Sequence, residues 1–310
     1  MPTLLFTHPV CLEHDTGAYH PECADRLKAV LRVLEGEAFA MLHREVAPHA
    51  TTEQLLRAHP THHLDHVLDH VPHGDGHHHL DPDTVLSSHS GEAALRAAGA
   101  VVAAVDAVAT GQARNAFCAV RPPGHHAEFD RAMGFCLFNN AAIGAYHARV
   151  AHGLRRVAVV DFDVHHGNGT QHILGEDPDF FYASSHQYPC YPGTGSPSET
   201  GVANNVLNVG LAPGSGGDDF RTAYAELILP RLREFKPDMI LISAGFDAHA
   251  ADPLAHLRLT TADYGWVTAE LLKVAGECCD HRVVSVLEGG YDLDALAASV
   301  ALHVRTLMGI

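Results

Sequence analysis

Five short apolar runs recur along the chain, Ala116–Val120, Val157–Phe162, Val206–Leu211, Met239–Ala244 and Val283–Leu287, and helical patterns separate them. Each run is rich in Val, Ile, Leu or Ala, the composition of a strand covered on both faces in a parallel sheet. Glu92–Thr110 is an Ala-rich helix, with Ser90 placed to cap it and Gly111 to stop it. Ala141–Ala151, Asp219–Phe235, Ala262–Gly276 and Leu293–Met308 read as further helices. This alternation predicts an α/β fold of three layers, α/β/α, with a mostly parallel central sheet. The 310 residues are 46% hydrophobic, enough for a large core, and neither a repeat nor a linker divides them. The expectation is one domain over 1–310.

Charge narrows the partners. A formal net charge of −17 repels a phosphate backbone, so nucleic acid is not expected as a ligand. No apolar run reaches the ~18 residues of a membrane span, and the start MPTLLFTHPV lacks the basic region of a signal peptide. The seven cysteines form no CxxC pair, and adjacent Cys278 and Cys279 do not suit an ordinary disulfide. Reduced thiols and a cytoplasmic setting are expected. The sequence is compatible with a homo-oligomer. From His59 to His79 there are nine histidines, which read as a solvated loop rather than a metal store.

In open α/β sheets, ligands bind outside the carboxyl ends of the strands. Four of the five runs deliver ionisable or metal-binding groups there. Ala116–Val120 leads to Arg121-Pro122-Pro123-Gly124-His125-His126, and Val157–Phe162 to Asp163-Val164-His165-His166-Gly167-Asn168. Met239–Ala244 leads to Gly245-Phe246-Asp247, and Val283–Leu287 to Glu288-Gly289-Gly290-Tyr291. If the strand stays extended, Asp163 and His165 point the same way. Asp247 would complete three protein ligands, the pattern of a catalytic zinc site with one open position. A lone Asp-x-His is also what a salt-bridged strand end looks like; the convergence with Asp247 and the histidine pair favours metal. Two carboxylates and one imidazole cancel the charge of Zn²⁺ and acidify its water weakly, so a general base is needed. His125 and His126 are the candidates, with Asp161 and Asn168 as the nearest groups to orient their rings. Spacing alone leaves Tyr291 equally an oxyanion donor or a core tyrosine.

RPPGHHAE at 121–128, MGFCLFNN at 133–140, DFDVHHGNGTQ at 161–171, YPGTGS at 191–196, SAGFDAH at 243–249 and LEGGYDL at 287–293 resemble the histone deacetylase and acetylpolyamine amidohydrolase superfamily. The resemblance runs from about His20 to the C-terminus and is closer to class II, because HHGNGTQ has Asn168 where class I has Asp. It implies an arginase-like sheet sandwiched by helices and a zinc-dependent hydrolysis of acetylated amines, such as acetyl-lysine peptides or small acetylated amines. It implies Asp163, His165 and Asp247 as zinc ligands, His126 as general base, His125 with Asp161 as its electrostatic partner, and Tyr291 as donor to the acetyl carbonyl. Gly134, Phe135 and Tyr191 match the walls of the substrate tunnel, with Tyr191 where better-known members have Phe. Asp161, Asp163, His165, Ser184 and Ser185 match a potassium site beneath the zinc, largely through backbone carbonyls. Asp81 or Asp83 matches the rim group that holds the substrate backbone. Polyamine-preferring members place a glutamate after the Asp-Pro that follows the third zinc ligand; here Asp252-Pro253 is followed by Leu254. The alternative activities are an acetylpolyamine amidohydrolase or a catalytically silent acyl-amine binder. An arginase-like ureohydrolase would need a second metal and a further Asp-x-Asp after Asp247, which the chain lacks.

Overall fold

The computed structural model describes residues Met1–Ile310. The strands are β1 (Thr3–Thr7), β2 (His43–Val46), β3 (His78–Asp81), β4 (Thr84–Leu86), β5 (Asn115–Cys118), β6 (Val157–Asp161), β7 (Phe180–Gln187), β8 (Val206–Leu211), β9 (Met239–Ala244) and β10 (Val283–Leu287). The helices are α1 (Ala24–Leu34), α2 (Thr52–Leu55), α3 (Thr61–Asp69), α4 (Ser90–Ala109), α5 (Asn140–His152), α6 (Asn168–Leu174), α7 (Gly217–Ala223), α8 (Leu229–Phe235), α9 (Thr261–Cys278) and α10 (Leu293–Met308). A π-helical turn, Tyr224–Ile228, joins α7 to α8, so Asp219–Phe235 is one helical run with a bulge. Ser90 is the first residue of α4 rather than its cap, and His89 holds the cap position without a side-chain bond.

Eight strands form one sheet in the order β2-β1-β5-β10-β9-β6-β7-β8, and every neighbouring pair is parallel. Its central strands are buried along their whole length because helices cover both faces: β6, β9 and β10 expose no residue. α4 and α5 pack on each other and on one face, while α1, α10, α9 and α8 follow one another on the other. No helix is long and apolar enough to cross a membrane. β3 and β4 form a separate antiparallel hairpin.

The histidine-rich stretch is not the solvated loop expected from its composition. Thr61–Asp69 is helix α3; His63 on its inner side and His59 just before it are both buried. His59 Nδ1 donates to Phe129 O at 3.0 Å, and its Nε2 accepts from Asn139 N at 2.8 Å; His63 Nε2 bonds Leu137 O at 2.9 Å. Burial, then the neighbouring His63, pushes the His59 ring down to about 3, which keeps it neutral. These two rings support the 126–139 segment from below. His77, by contrast, reaches Asp15 at 3.0 Å on the surface, and His79 is exposed on β3. Replacing His77, His78 and His79 by Asn is therefore expected to leave kcat/KM within about threefold, the effect of a surface change. A large loss with unchanged metal content would show that the hairpin shapes the site.

Candidate active site

β6 ends at Asp161, so the extended run that would have aligned Asp163 with His165 does not persist. Carboxylate-to-backbone bonds set their directions instead. Asp161 Oδ1 accepts from Asp163 N at 3.1 Å, and Asp163 Oδ1 accepts from His165 N at 2.9 Å, two successive turns. Asp163 Oδ2 accepts from Gly289 N at 2.8 Å, and Asp247 Oδ1 from Val164 N at 2.9 Å, which ties β6, β9 and β10 together at their carboxyl ends. His165 Nδ1 then lies 3.2 Å from Asp163 Oδ1 and 3.1 Å from Asp247 Oδ2.

These three side chains are buried, with ligand atoms within 4.8 Å of one another. One imidazole proton cannot serve two carboxylates fully, and two buried carboxylates repel. Burial, then Asp163, pushes the Asp247 carboxyl up to about 7. A divalent cation bound by both oxygens and the nitrogen would remove both conflicts, so the donor set fits Zn²⁺ with an open fourth position. Gly289 leaves the room: a Cβ there would stand 2.2 Å from Asp247 Oδ2 and 2.6 Å from Asp163 Oδ2. A second His/Asp cluster, Asp106, His147 and His152, lies between α4 and α5, remote from this cradle. There Asp106 Oδ1 takes both Nε2 atoms and Arg57 donates to His147 Nδ1, a satisfied hydrogen-bond set.

The His125 and His126 rings lie with centroids 4.0 Å apart, tilted by 43°. His125 Nδ1 is 3.0 Å from Asp161 Oδ2, and His126 Nδ1 is 2.7 Å from Asn168 Oδ1. The environments split the pair. Burial opposes charge on His125, but Asp163 and Asp161 outweigh it and raise the ring to about 10. Burial, then charged His125 and His165, holds His126 well below the ordinary imidazole range. One ring is therefore cationic and the other neutral, which is how a charge stabiliser and a base are separated.

Above this floor is a narrow cavity of about 190 Å³. Gly134, Phe135, Tyr191, Leu254 and Asp83 form its walls and mouth, with His126, His165 and Tyr291 at its base. Tyr191 meets the His126 ring edge-on at 5.1 Å, and Phe135 meets Tyr291 at 6.0 Å. Gly134 has φ +56°, and a Cβ there would sit 2.6 Å from His126 Cδ2, so only glycine lets this wall approach the base. Of the two rim aspartates, Asp83 lines the cavity and Asp81 does not; Asp81 Oδ1 accepts from Asp83 N at 3.0 Å. Ser184 stands in register with Asp161 on β7, and Ser185 follows it. Both serine hydroxyls are engaged, by His186 at 2.9 Å and Tyr224 at 3.3 Å, which leaves main-chain carbonyls as the donors available to a monovalent cation.

Sequence reading missed the residues that hold these groups in place. Glu288 Oε2 accepts from Gly124 N at 2.7 Å and His125 N at 3.1 Å, fixing the histidine pair. Arg26 bonds the Gly290 and Glu288 carbonyls and lies 4.8 Å over the Tyr291 ring. Glu22 pairs with both Arg26 and Arg121, all fully buried. Asp252 Oδ2 accepts from Tyr291 N at 2.7 Å. LEGGYDL and RPPGHHAE contain Glu288 and Arg121, but Gly124 lies 164 positions from Glu288 and Glu22 lies 99 from Arg121.

A parallel α/β sheet whose strand ends bring a His–carboxylate cradle and a histidine pair to the base of an aromatic tunnel defines an amidohydrolase-type class. Comparison with known proteins makes the assignment particular. Residues 20–307 match the histone deacetylase domain, and the chain belongs to that family of deacetylases. It is 42% identical to the histone deacetylase-like amidohydrolase of Pseudomonas aeruginosa, over 88% of this chain and 72% of that one. It is 40% identical to chloroplastic histone deacetylase 14 of Arabidopsis thaliana, over 99% and 77% of the two chains. The crystal structure of the HDA15 HD domain superposes with a TM-score of 0.92 at 34% identity, covering 99% of this chain and 88% of that one.

Proposed function

We propose that this chain, as one deacetylase domain over 1–310, hydrolyses acetylated amines in a zinc-dependent reaction that releases acetate. The observation that carries the reading is the buried Asp163–His165–Asp247 cradle at the base of a tunnel, with a neutral histidine beside it. Zn²⁺ held by these three residues would supply Lewis-acid activation of water and of the acetyl carbonyl. Potassium is proposed at the β6–β7 step through main-chain carbonyls near Asp161, Ser184 and Ser185. The seven unpaired cysteines support a reducing compartment such as the cytoplasm.

His126 accepts a proton from the attacking water at Nε2, because its Nδ1 is committed to Asn168, and later passes it to the leaving amine. His125, paired with Asp161 through Nδ1, favours negative charge developing beside it. Tyr291, held as a neutral phenol chiefly by burial, donates to the oxygen of the tetrahedral species. Asp252 and Arg26 hold that tyrosine at the tunnel base. Tyr291→Phe is expected to lower kcat about 10²–10³-fold with little change in KM, as for loss of one oxyanion donor. A change in KM alone would remove the oxyanion role. The reading as a whole is tested by assaying the zinc-reconstituted protein on acetyl-lysine peptides, acetylpolyamines and small acetylated amines. Full zinc binding with no turnover of any of them would favour a silent acyl-amine binder.

Among substrates, the tunnel favours a single long alkyl chain: Phe135 and Tyr191 flank it and Gly134 leaves space between them. A polyamine brings a further ammonium to the mouth. Leu254 stands there uncharged, and the Asp252 carboxylate is turned inward to Tyr291 N and Asp292 N. Burial first, and then Asp81, raise the Asp83 carboxyl above its ordinary value, which weakens it as a fixed charge at the mouth. More distant charge is screened within about 8–10 Å. Acetyl-lysine peptides are therefore expected to be turned over better than acetylspermidine, and Leu254→Glu to shift the ratio of kcat/KM toward the polyamine. A tenfold wild-type preference for acetylspermidine, unmoved by Leu254→Glu, would place selectivity elsewhere at the rim.

A further inference from the structure

We infer that Glu128 is a positioning residue: it fixes the orientation of the Asn168 amide and so selects the His126 tautomer whose Nε2 can take a proton. The inference rests on His126 being the general base and carries that reading one residue further out.

An asparagine amide has two unlike ends, an oxygen that accepts and a nitrogen that donates. Asn168 is buried with one end toward His126 Nδ1, 2.7 Å away, and the other toward Glu128 Oε1. The carboxylate decides which end goes where. Ionised, it accepts only, so it admits the amide nitrogen and excludes the amide oxygen. The oxygen must then face His126, Nδ1 must carry the ring proton, and Nε2 keeps its lone pair. With the amide reversed, Asn168 would donate to Nδ1, the ring proton would sit on Nε2, and His126 could accept nothing from water.

The other acceptors near the Asn168 nitrogen are weak. The His126 carbonyl and Met133 Sδ both lie 3.4 Å from it. Neither would stop the amide turning, whereas setting its oxygen against a carboxylate in a buried site costs a lost hydrogen bond and a repulsion. Glu128 itself is anchored. Its Oε2 is bonded by His172 Nδ1, Arg131 stands 3.9 Å away, and its main-chain N–H donates to Arg131 O at 2.9 Å. The glutamate side chain is only 15% exposed, so water competes little for its oxygens. Glu128 touches neither the tunnel nor the zinc cradle, and its effect on chemistry runs through the amide alone.

The test uses the zinc-loaded full chain and substitutes position 128 in order of decreasing acceptor strength. Glu128→Gln is expected to keep kcat within about fivefold, Glu128→Met to lose about 10–100-fold, and Glu128→Lys, which presents a donor, to lose more than Glu128→Met, all with one zinc per chain and KM within about twofold, as for other supporting residues around metal sites. Nitrogen-15 spectra of the His126 ring, assigned against His126→Ala, should show Nδ1–H in the wild type and a mixture with Nε2–H in Glu128→Met. Wild-type kcat in Glu128→Met, equal losses in Glu128→Gln and Glu128→Met, losses confined to KM, or a wild-type ring protonated on Nε2 would each overturn the inference. Where the Met and Lys variants fail to fold, the wild-type ring spectrum and Glu128→Gln decide: Nε2–H, or a loss beyond about 100-fold in Gln, overturns it. Retained activity in His126→Ala would instead overturn the general-base reading, and the ring spectrum would still report on Glu128.

Discussion

Asp247→Asn is expected to fold, to bind no zinc, and to turn over no acetylated amine above background. The fold should survive because the amide oxygen can still accept from Val164 N, the bond Asp247 Oδ1 makes at 2.9 Å, and because the two side chains have nearly the same shape. What is lost is one of the two negative charges facing His165. A neutral amide oxygen is a poor ligand for Zn²⁺ beside a single carboxylate and an imidazole, and the formal charge of the site no longer cancels that of the ion. His165→Ala should give the same result by removing the nitrogen donor. The measurements are metal content per chain after dialysis, unfolding temperature of the metal-free proteins, and turnover of an acetyl-lysine peptide. An Asp247→Asn protein with one equivalent of zinc and wild-type turnover would overturn the ligand assignment.

His126→Ala should lose about 10²–10⁴-fold in kcat, the range for removing a positioned general base. The expectation depends on the contrast between the paired rings. His126 is kept neutral mainly by burial and then by neighbouring positive charge, His125 first, so its ring nitrogen is free to accept a proton at neutral pH. His125, raised to about 10, cannot substitute for it, because it is already protonated. Zinc content should be unchanged, since His126 belongs to the tunnel lining and not to the cradle. A loss of tenfold or less with intact zinc would mean that another group takes the proton. His125→Ala should behave differently, losing both the imidazolium and the partner that Asp161 and Asp163 face.

The sequence was informative where chemistry and local pattern coincide. Met239–Ala244 and Val283–Leu287 are strands at the bounds their apolar runs predict, because strands covered on both faces are largely apolar; Val206–Leu211 also keeps its bounds, although it is a half-exposed edge strand. The same logic fails for β7, FFYASSHQ, which is buried along its length despite Ser184, Ser185 and His186. Its polar groups are satisfied by Tyr224, Gly195 and within the strand, partners that local sequence does not reveal. β2, His43–Val46, is fully exposed and carries no apolar signal; it is a strand because β1 offers it a free edge. The histidines of 59–79 look alike in sequence, yet His59 and His63 are buried supports and His77 is a surface contact, a distinction made by the 126–139 segment lying over helix α3.

The sequence by itself determined which groups could do chemistry: two carboxylates and a histidine for a cation, a histidine pair, and a tyrosine after two glycines, each just past a strand. Only the tertiary structure decided what state those groups are in. The charge on His125, the neutrality of His126, the inward turn of Asp252 and the choice of Asp83 over Asp81 at the tunnel all depend on partners brought from distant strands. The physical reason is that a side chain's identity is local, while its protonation and orientation are set by burial and by the few donors and acceptors within hydrogen-bond reach. In a parallel sheet every neighbouring strand end arrives by a long crossover, so those neighbours are remote in sequence.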